Sequence, residues 1–279
     1  MRRPPCKEDP PTGPVREAAV AGRFYPRSRK AMEAELARLA PPGAAVAARA
    51  VVVPHAGWRY SGAVAGETYA AAAVPRRAIL LGPNHRGAGA AAALFGGGAW
   101  AHPGGEVPIA SDLAAALLSG SEELRDDPEA HRREHSLEVQ LPFLHRRQPA
   151  LAIVPVLLGR RDLGFCRTIG HAIAEVVAGW PEPVLLVDST DLNHYESQLE
   201  TERKDRLAID AIRALDPEGL WRAVRLHDIS MCGVAPTLAL LYAARALDVR
   251  EAELVRHRTS GDASGDYRSV VGYAGLVLR

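Results

Sequence analysis

Three apolar runs in this chain each end near a histidine. AVVVPHAGWRYSG (residues 50–62) delivers His55 just past Pro54, AILLGPNHRG (78–87) leads to His85, and PVLLVDSTDLNHY (183–195) leads to Asp191 and His194. A neutral imidazole is a metal ligand or a proton carrier, so recurrence at equivalent points of three runs suggests a shared site. HDISMCGVAPTLALL (227–241) supplies a further group, because Cys232 precedes Gly233 and a helix with Pro236 in its first turn. The partial positive charge of a helix N-terminus favours thiolate over thiol. Two imidazoles and a thiolate, from His55, His85 and Cys232, make a three-ligand site with an open position. Such a set suits one transition metal ion, zinc, copper(I) or iron(II), and it fits Mg²⁺ or Ca²⁺ poorly. Asp191 and His194 are placed to accept and move a proton or to orient a ligand, and Tyr60 to donate a hydrogen bond into the same cavity.

These residues need a rigid edge to hold them. RAVVVP, AILLG, ALAIVPVLLG and PVLLVDST are short, branched apolar runs bounded by turn residues and read as buried strands, with AAALFGGGAW a weaker one. Between them lie helical segments: Met32–Leu39 stopped by PPG, GAVAGETYAAAAV, SDLAAALLSG with Ser111 as N-cap, and CRTIGHAIAEVVAG. RKDRLAIDAIRAL, PEGLWRAVRL and PTLALLYAARAL follow as helices, and two closing strands come from EAELVRHRTSG and YRSVVGYAGLVL. EHSLEVQLPFLHRR has helical spacing but carries Pro142, which predicts a kink or a late start. Continuous apolar strands alternating with helices predict an α/β fold, three-layer α/β/α, around a central mostly parallel, mixed sheet. Ligands in such folds sit beyond the carboxyl ends of the strands, where His55, His85 and the Asp191/His194 pair fall.

With 279 residues, the chain is long enough to bury a full core without disulfides. Its 34 basic and 33 acidic residues leave a net charge of +1, which points away from nucleic acid and anionic membranes. Cys6, Cys166 and Cys232 are too few and too scattered for a disulfide framework, and no apolar run is long enough to span a bilayer. The N-terminus is charged and proline-rich, unlike a secretory signal, so a cytoplasmic setting is expected. Residues 1–14 are expected to be a flexible N-terminal segment and residues 15–279 a single α/β domain.

With these residues assembled, the sequence resembles the MEMO family, including its prokaryotic branch called AmmeMemoRadiSam system protein B. REAAVAGRFYP, VPHAGWRYSG, LGPNHRG, REHSLEVQLPFL, IVPVLLG, STDLNHY and CGVAP carry the resemblance, in family order from about Arg16 to the C-terminus. It implies a fold shared with class III extradiol dioxygenases, with His55 and His85 at the two histidine ligand positions and Cys232 where those enzymes have a carboxylate. It further implies that His194, with Asp191 beside it, matches their acid–base histidine and that His135 lines the pocket. The exchange of carboxylate for sulfur retunes the metal towards copper or zinc. The branch name implies association with a radical-SAM enzyme and an AMMECR-type protein. Two functions follow from this reading: a dioxygenase-like redox enzyme acting on a small organic substrate, or a non-catalytic metal carrier or peptide- and partner-binding module.

Two other motifs compete. HRREH (131–135) fits the H-x-x-E-H pattern of inverted zinc peptidases, in which His131 and His135 would share a helix face with Glu134 as base. GAGAAA (87–92) imitates a dinucleotide-binding turn, but the glycines at 96–98 leave no helix for a phosphate to cap.

Overall fold

A computed structural model describes residues 13–279. Cys6 and most of the expected N-terminal segment lie outside the described residues. Strand β1 is Val15–Arg16, β2 Ala50–Val53, β3 Arg77–Pro83, β4 Ala92–Leu94, β5 Ala99–His102 and β6 Gly105–Pro108. They are followed by β7 Leu124–Asp126, β8 Ala152–Leu158, β9 Val184–Ser189, β10 His194–Glu196, β11 Ala252–Thr259 and β12 Val270–Leu278. The helices are α1 Arg29–Leu39, α2 Trp58–Ala71, α3 Ser111–Gly120, α4 Pro128–His131, α5 Leu141–Arg147, α6 Leu163–Ala178, α7 Gln198–Arg213, α8 Pro217–Leu226, α9 Val234–Ala246 and α10 Gly261–Ser264.

The long apolar runs form the sheet's centre, where both faces are covered and continuous hydrophobicity is tolerated. The order is β10-β12-β2-β9-β3-β8-β4-β7, with β11 also pairing β12. β2, β9, β3 and β8 are mutually parallel, whereas β12 runs antiparallel to β2 and β4 antiparallel to β8. The sheet is thus mixed with a parallel middle. Neighbouring residues of β9 reveal the layers. Asp188 accepts from Thr237 of α9, while Ser189, pointing the other way, meets Gln140 ahead of α5. Helix α5 packs with α2 on that second side, and α6 packs on α9 on the first. Gly170 permits the α6–α9 approach, since a Cβ there would stand 2.5 Å from the Ala239 carbonyl oxygen.

Some local expectations need correcting. Ser111 is the first residue of α3 and not its cap; Ala110 holds the cap position, with no side-chain bond. AAALFGGGAW divides into β4 and β5, which belong to different sheets, because β5 joins β1 and β6 in a small three-stranded sheet. The segment around Pro142 starts late: a single 3-10 turn over Glu138–Gln140 precedes α5, with the proline in its first turn. GAGAAA runs through Gly87 and Gly89, both at positive φ, straight into β4 and opens no helix.

Candidate metal centre

Because β2, β9 and β3 are parallel neighbours, their carboxyl ends share one edge. His55 follows β2 past Pro54, His85 follows β3, and Asp191 follows β9. A second element reaches over that edge, the turn between α4 and the Glu138–Gln140 helical turn, which carries His135. One ring nitrogen from each of His55, His85 and His135 lies within 4.8 Å of the other two. The His85 and His135 rings stack at 4.7 Å, and His55 presents its edge to them at 5.1 and 5.5 Å.

Which nitrogens face inward follows from hydrogen-bond arithmetic. The Gln140 amide is oriented by the Pro54 carbonyl, which its Nε2 reaches at 2.8 Å, and by the Tyr69 hydroxyl, which donates to its Oε1 at 3.1 Å. Nε2 also donates to Ser189 Oγ at 3.0 Å. The single Ser189 hydroxyl proton goes to the Ser136 carbonyl at 2.7 Å. Ser189 Oγ can therefore only accept from His55 Nδ1, 3.0 Å away, which fixes the Nδ1–H tautomer and leaves Nε2 with a free lone pair. For the other two rings the acceptor is Glu134 Oε1, at 2.9 Å from His85 Nδ1 and 3.2 Å from His135 Nδ1. Burial alone would raise the Glu134 pKa, but hydrogen bonds from His135 and His85 outweigh it and hold the carboxyl well below its usual range. His55 and His85 thus each have Nδ1 hydrogen-bonded to an oxygen, and His135 Nδ1 faces the same Glu134 carboxylate, so every ring has its other nitrogen available to a common point. His55 is buried, and burial together with the neighbouring His135 and His85 lowers its pKa well below 6.5, which keeps it neutral and able to act as a ligand.

Cys232 Sγ lies 3.3 Å from His55 Nε2. Gly233 makes this approach possible, because a Cβ there would stand 2.4 Å from Thr190 Oγ1 at the end of β9. Cys232 is not, however, one of the three donors that lie mutually within 4.8 Å, so the sulfur adjoins the imidazole cluster and His135 stands in the third place that the sequence reading gave to Cys232. The expected thiolate needs correction for the metal-free protein. Cys232 does precede α9, but burial and the nearby Asp191 carboxylate push its thiol pKa up. The Asp191 amide donates to the sulfur at 3.3 Å, and the Asp191 carboxylate accepts from the amides of His55 at 2.7 Å and Ala56 at 3.3 Å. Asp191 therefore shapes the turn that presents His55.

The profile of the family described as Memo-like protein matches residues 16–277. A MEMO1 family protein of Methanopyrus kandleri is 41% identical over 279 residues, covering 95% of this chain and 99% of the relative. The chain belongs to the MEMO1 family. A further member from Pyrobaculum aerophilum is 39% identical over 277 residues, with 95% and 99% coverage. One from Thermotoga maritima is 37% identical over 279 residues, with 94% and 99% coverage. A solved structure of an uncharacterized protein from Escherichia coli K12 superposes with a TM-score of 0.51 at 12% identity, covering 81% of this chain and 98% of that one. That likeness concerns fold alone.

In this MEMO1 family member the imidazoles open onto a cavity of 990 Å³, also lined by Cys232, Asp191 and His194. His194 is half-buried, its amide donates to Ser230 Oγ at 2.8 Å, and its Nδ1 is buried with no partner among the described residues. Tyr195, at the unusual φ of 62° for a non-glycine residue, projects from the rim. Tyr60 does not line the cavity: it sits in the first turn of α2, 40% exposed, and Tyr273 of β12 lines the wall instead. The peptidase arrangement is absent. Helix α4 stops at His131, whose fully buried ring lies against Trp100 and whose Nε2 meets the Ala93 carbonyl at 3.0 Å, far from the face used by His135.

Two supporting groups had no reading as such in the sequence. Glu134 braces His85 and His135. Glu138 is fully buried, paired with Arg16 at 2.8 Å, and accepts from the Tyr25 hydroxyl and the Ala19 and Val20 amides. Arg16 also donates to the carbonyls of His131 and Glu134 at 2.8 and 2.6 Å and stacks over Trp100. This clamp fixes the turn that offers His135. Its one sequence signal is the pairing of REAAVAGRFYP with REHSLEVQLPFL among the family-like stretches.

Proposed function

We propose that this chain holds one transition metal ion through Nε2 of His55, His85 and His135, with the Cys232 sulfur as adjoining donor, and performs redox chemistry on a small organic substrate in the cavity. Imidazole with sulfur favours copper(I), and the imidazoles alone also suit iron(II), with zinc the redox-inert competitor. When bound, the ion supplies a Lewis acid and an electron acceptor or donor. The chain's own groups do the rest. His194, with its unpartnered Nδ1 at the cavity wall, moves a proton to or from the substrate. Asp191 holds the His55 turn, and Tyr273 and Met231 shield the floor from water.

One observation supports the reading most: three imidazoles from separate segments bring one ring nitrogen each within 4.8 Å of the other two at the wall of a cavity. The test is elemental analysis of protein purified without added metal, followed by oxygen uptake with catechol-type substrates. About one equivalent of iron or copper with turnover is expected. His55→Ala and His135→Ala lose the metal, and His131→Ala keeps it. Metal retained by the first two variants, or bound metal without turnover on any catechol, overturns the corresponding half of the proposal.

A further inference from the structure

The cavity has a second chemical feature, opposite in kind to the imidazole floor. Arg161, in the loop between β8 and α6, and Arg225, in the last turn of α8, both line it. Neither guanidinium makes a hydrogen bond or ion pair among the described residues. Their neighbours differ. Arg160 is paired with Asp162 at 2.5 Å and lies over Phe165, and Arg222 reaches Asp216 at 3.7 Å. Arg225 stacks over Trp221 at 5.4 Å, a contact that orients the guanidinium plane while leaving its N–H fork free.

Against these two cations the lining carries two acidic residues, neither of them paired with Arg161 or Arg225. The Asp191 carboxylate is already engaged by two backbone amides of the His55 turn. Asp228 is the other acidic residue in the lining. A concave site with unpaired cations focuses a positive potential that concentrates anions. Trp221 and Tyr273 line the same cavity, and Tyr195 stands at its rim.

We infer that Arg161 and Arg225 recognise the acid group of an anionic organic substrate, whose apolar body lies along the aromatic wall. The shared chemistry is an oxyanion on a planar carbon skeleton; carboxylate and phosphate ester are its two sources. This deepens the function proposed above by naming the substrate class of the same cavity, yet the recognition itself needs no metal.

The experiment is calorimetric titration of the full-length, metal-free chain with benzoate, phenyl phosphate and benzyl alcohol. Benzoate or phenyl phosphate is expected to bind at least about tenfold more tightly than the neutral alcohol, and more weakly as salt rises to about 0.5 M. The tighter of the two anions identifies the acid. Arg161→Gln and Arg225→Gln each weaken anion binding about tenfold and leave benzyl alcohol unchanged. Arg160→Gln, already engaged by Asp162, changes nothing. Equal binding of anion and alcohol, or arginine variants with native anion affinity, overturns the inference. Metal content separates the two claims: the arginine variants keep native metal binding, and His135→Ala keeps anion binding while losing metal. A His135→Ala protein that retains metal counts against the metal site alone.

Discussion

Replacing Glu134 with glutamine tests the geometry of the centre most directly. Its Oε1 accepts from the His135 and Ser136 amides at 2.8 and 3.0 Å and faces both ring Nδ1 atoms, while Oε2 accepts from the His85 amide at 2.8 Å. A carboxamide keeps one oxygen and turns the other arm into a donor, which then confronts an N–H with nothing to accept. One buried donor left unpaired costs about 1–3 kcal/mol, and the remaining bonds fall from charge-assisted to neutral strength. The combined loss is about 3–5 kcal/mol of stability, read by urea unfolding. The larger effect is on the metal. Partners behind a ligating histidine are worth about 10–100-fold in affinity, and here one carboxylate braces two rings. Competition for zinc(II) against a chromophoric chelator should show at least about a hundredfold loss. Glu134→Asp, which keeps the charge on a shorter arm, should fall between the two proteins. A folded Glu134→Gln protein with zinc affinity within about threefold of native would refute the claim that this carboxylate aims the imidazoles.

Three other perturbations probe the surrounding structure. Ser189→Ala removes the acceptor that fixes the His55 tautomer and should weaken zinc binding by about 10–100-fold with no loss of the sheet, measured by the same competition and by circular dichroism. Arg16→Met leaves Glu138 buried without its cation and should destabilise the fold by about 3–5 kcal/mol in urea, with the paired Arg16→Met/Glu138→Gln change recovering part of the loss. Burial holds His131 at about 3, below its ordinary 6.5, so the folded protein keeps it neutral. The unfolded chain takes up that proton first. Its contribution to stability is therefore full above pH 6.5 and declines by up to about 1.4 kcal/mol per unit as pH falls from 6.5 towards 3. His131→Leu should flatten that part of the stability profile, and an unchanged slope would place the proton elsewhere.

The sequence was most informative where apolar continuity carried the signal. β2, β8 and β9 stand within RAVVVP, ALAIVPVLLG and PVLLVDST, and β3 covers AILLG with one more residue at each end, because strands covered on both faces show a feature that turns cannot imitate. His55, His85 and Asp191 were legible for the same reason, since each directly follows one of those strands. His135 was harder to place. HRREH has helical spacing, and contacts distant in sequence, from Arg16 to the His131 and Glu134 carbonyls and from Glu134 to His85, hold that segment in a turn. Local pattern contains no such long-range contact. The hairpin of β5 and β6 escaped because its strands are short and bounded by glycines. Tyr60 was misplaced because the helix was read as starting at Gly62, when in fact Trp58 opens it and carries the tyrosine outward.

The Arg16–Glu138 pair also sets an order of events during synthesis. The arginine leaves the ribosome 122 residues ahead of its carboxylate, and the Cys232 sulfur follows His55 by 177. A nascent chain thus carries two of the proposed donors, His55 and His85, long before the Arg16–Glu138 bracket at the turn of His135 can close. The pocket is consequently a property of the completed polypeptide: a shortened version starting beyond residue 16 would retain every imidazole and lose the guanidinium that pins the third one's turn.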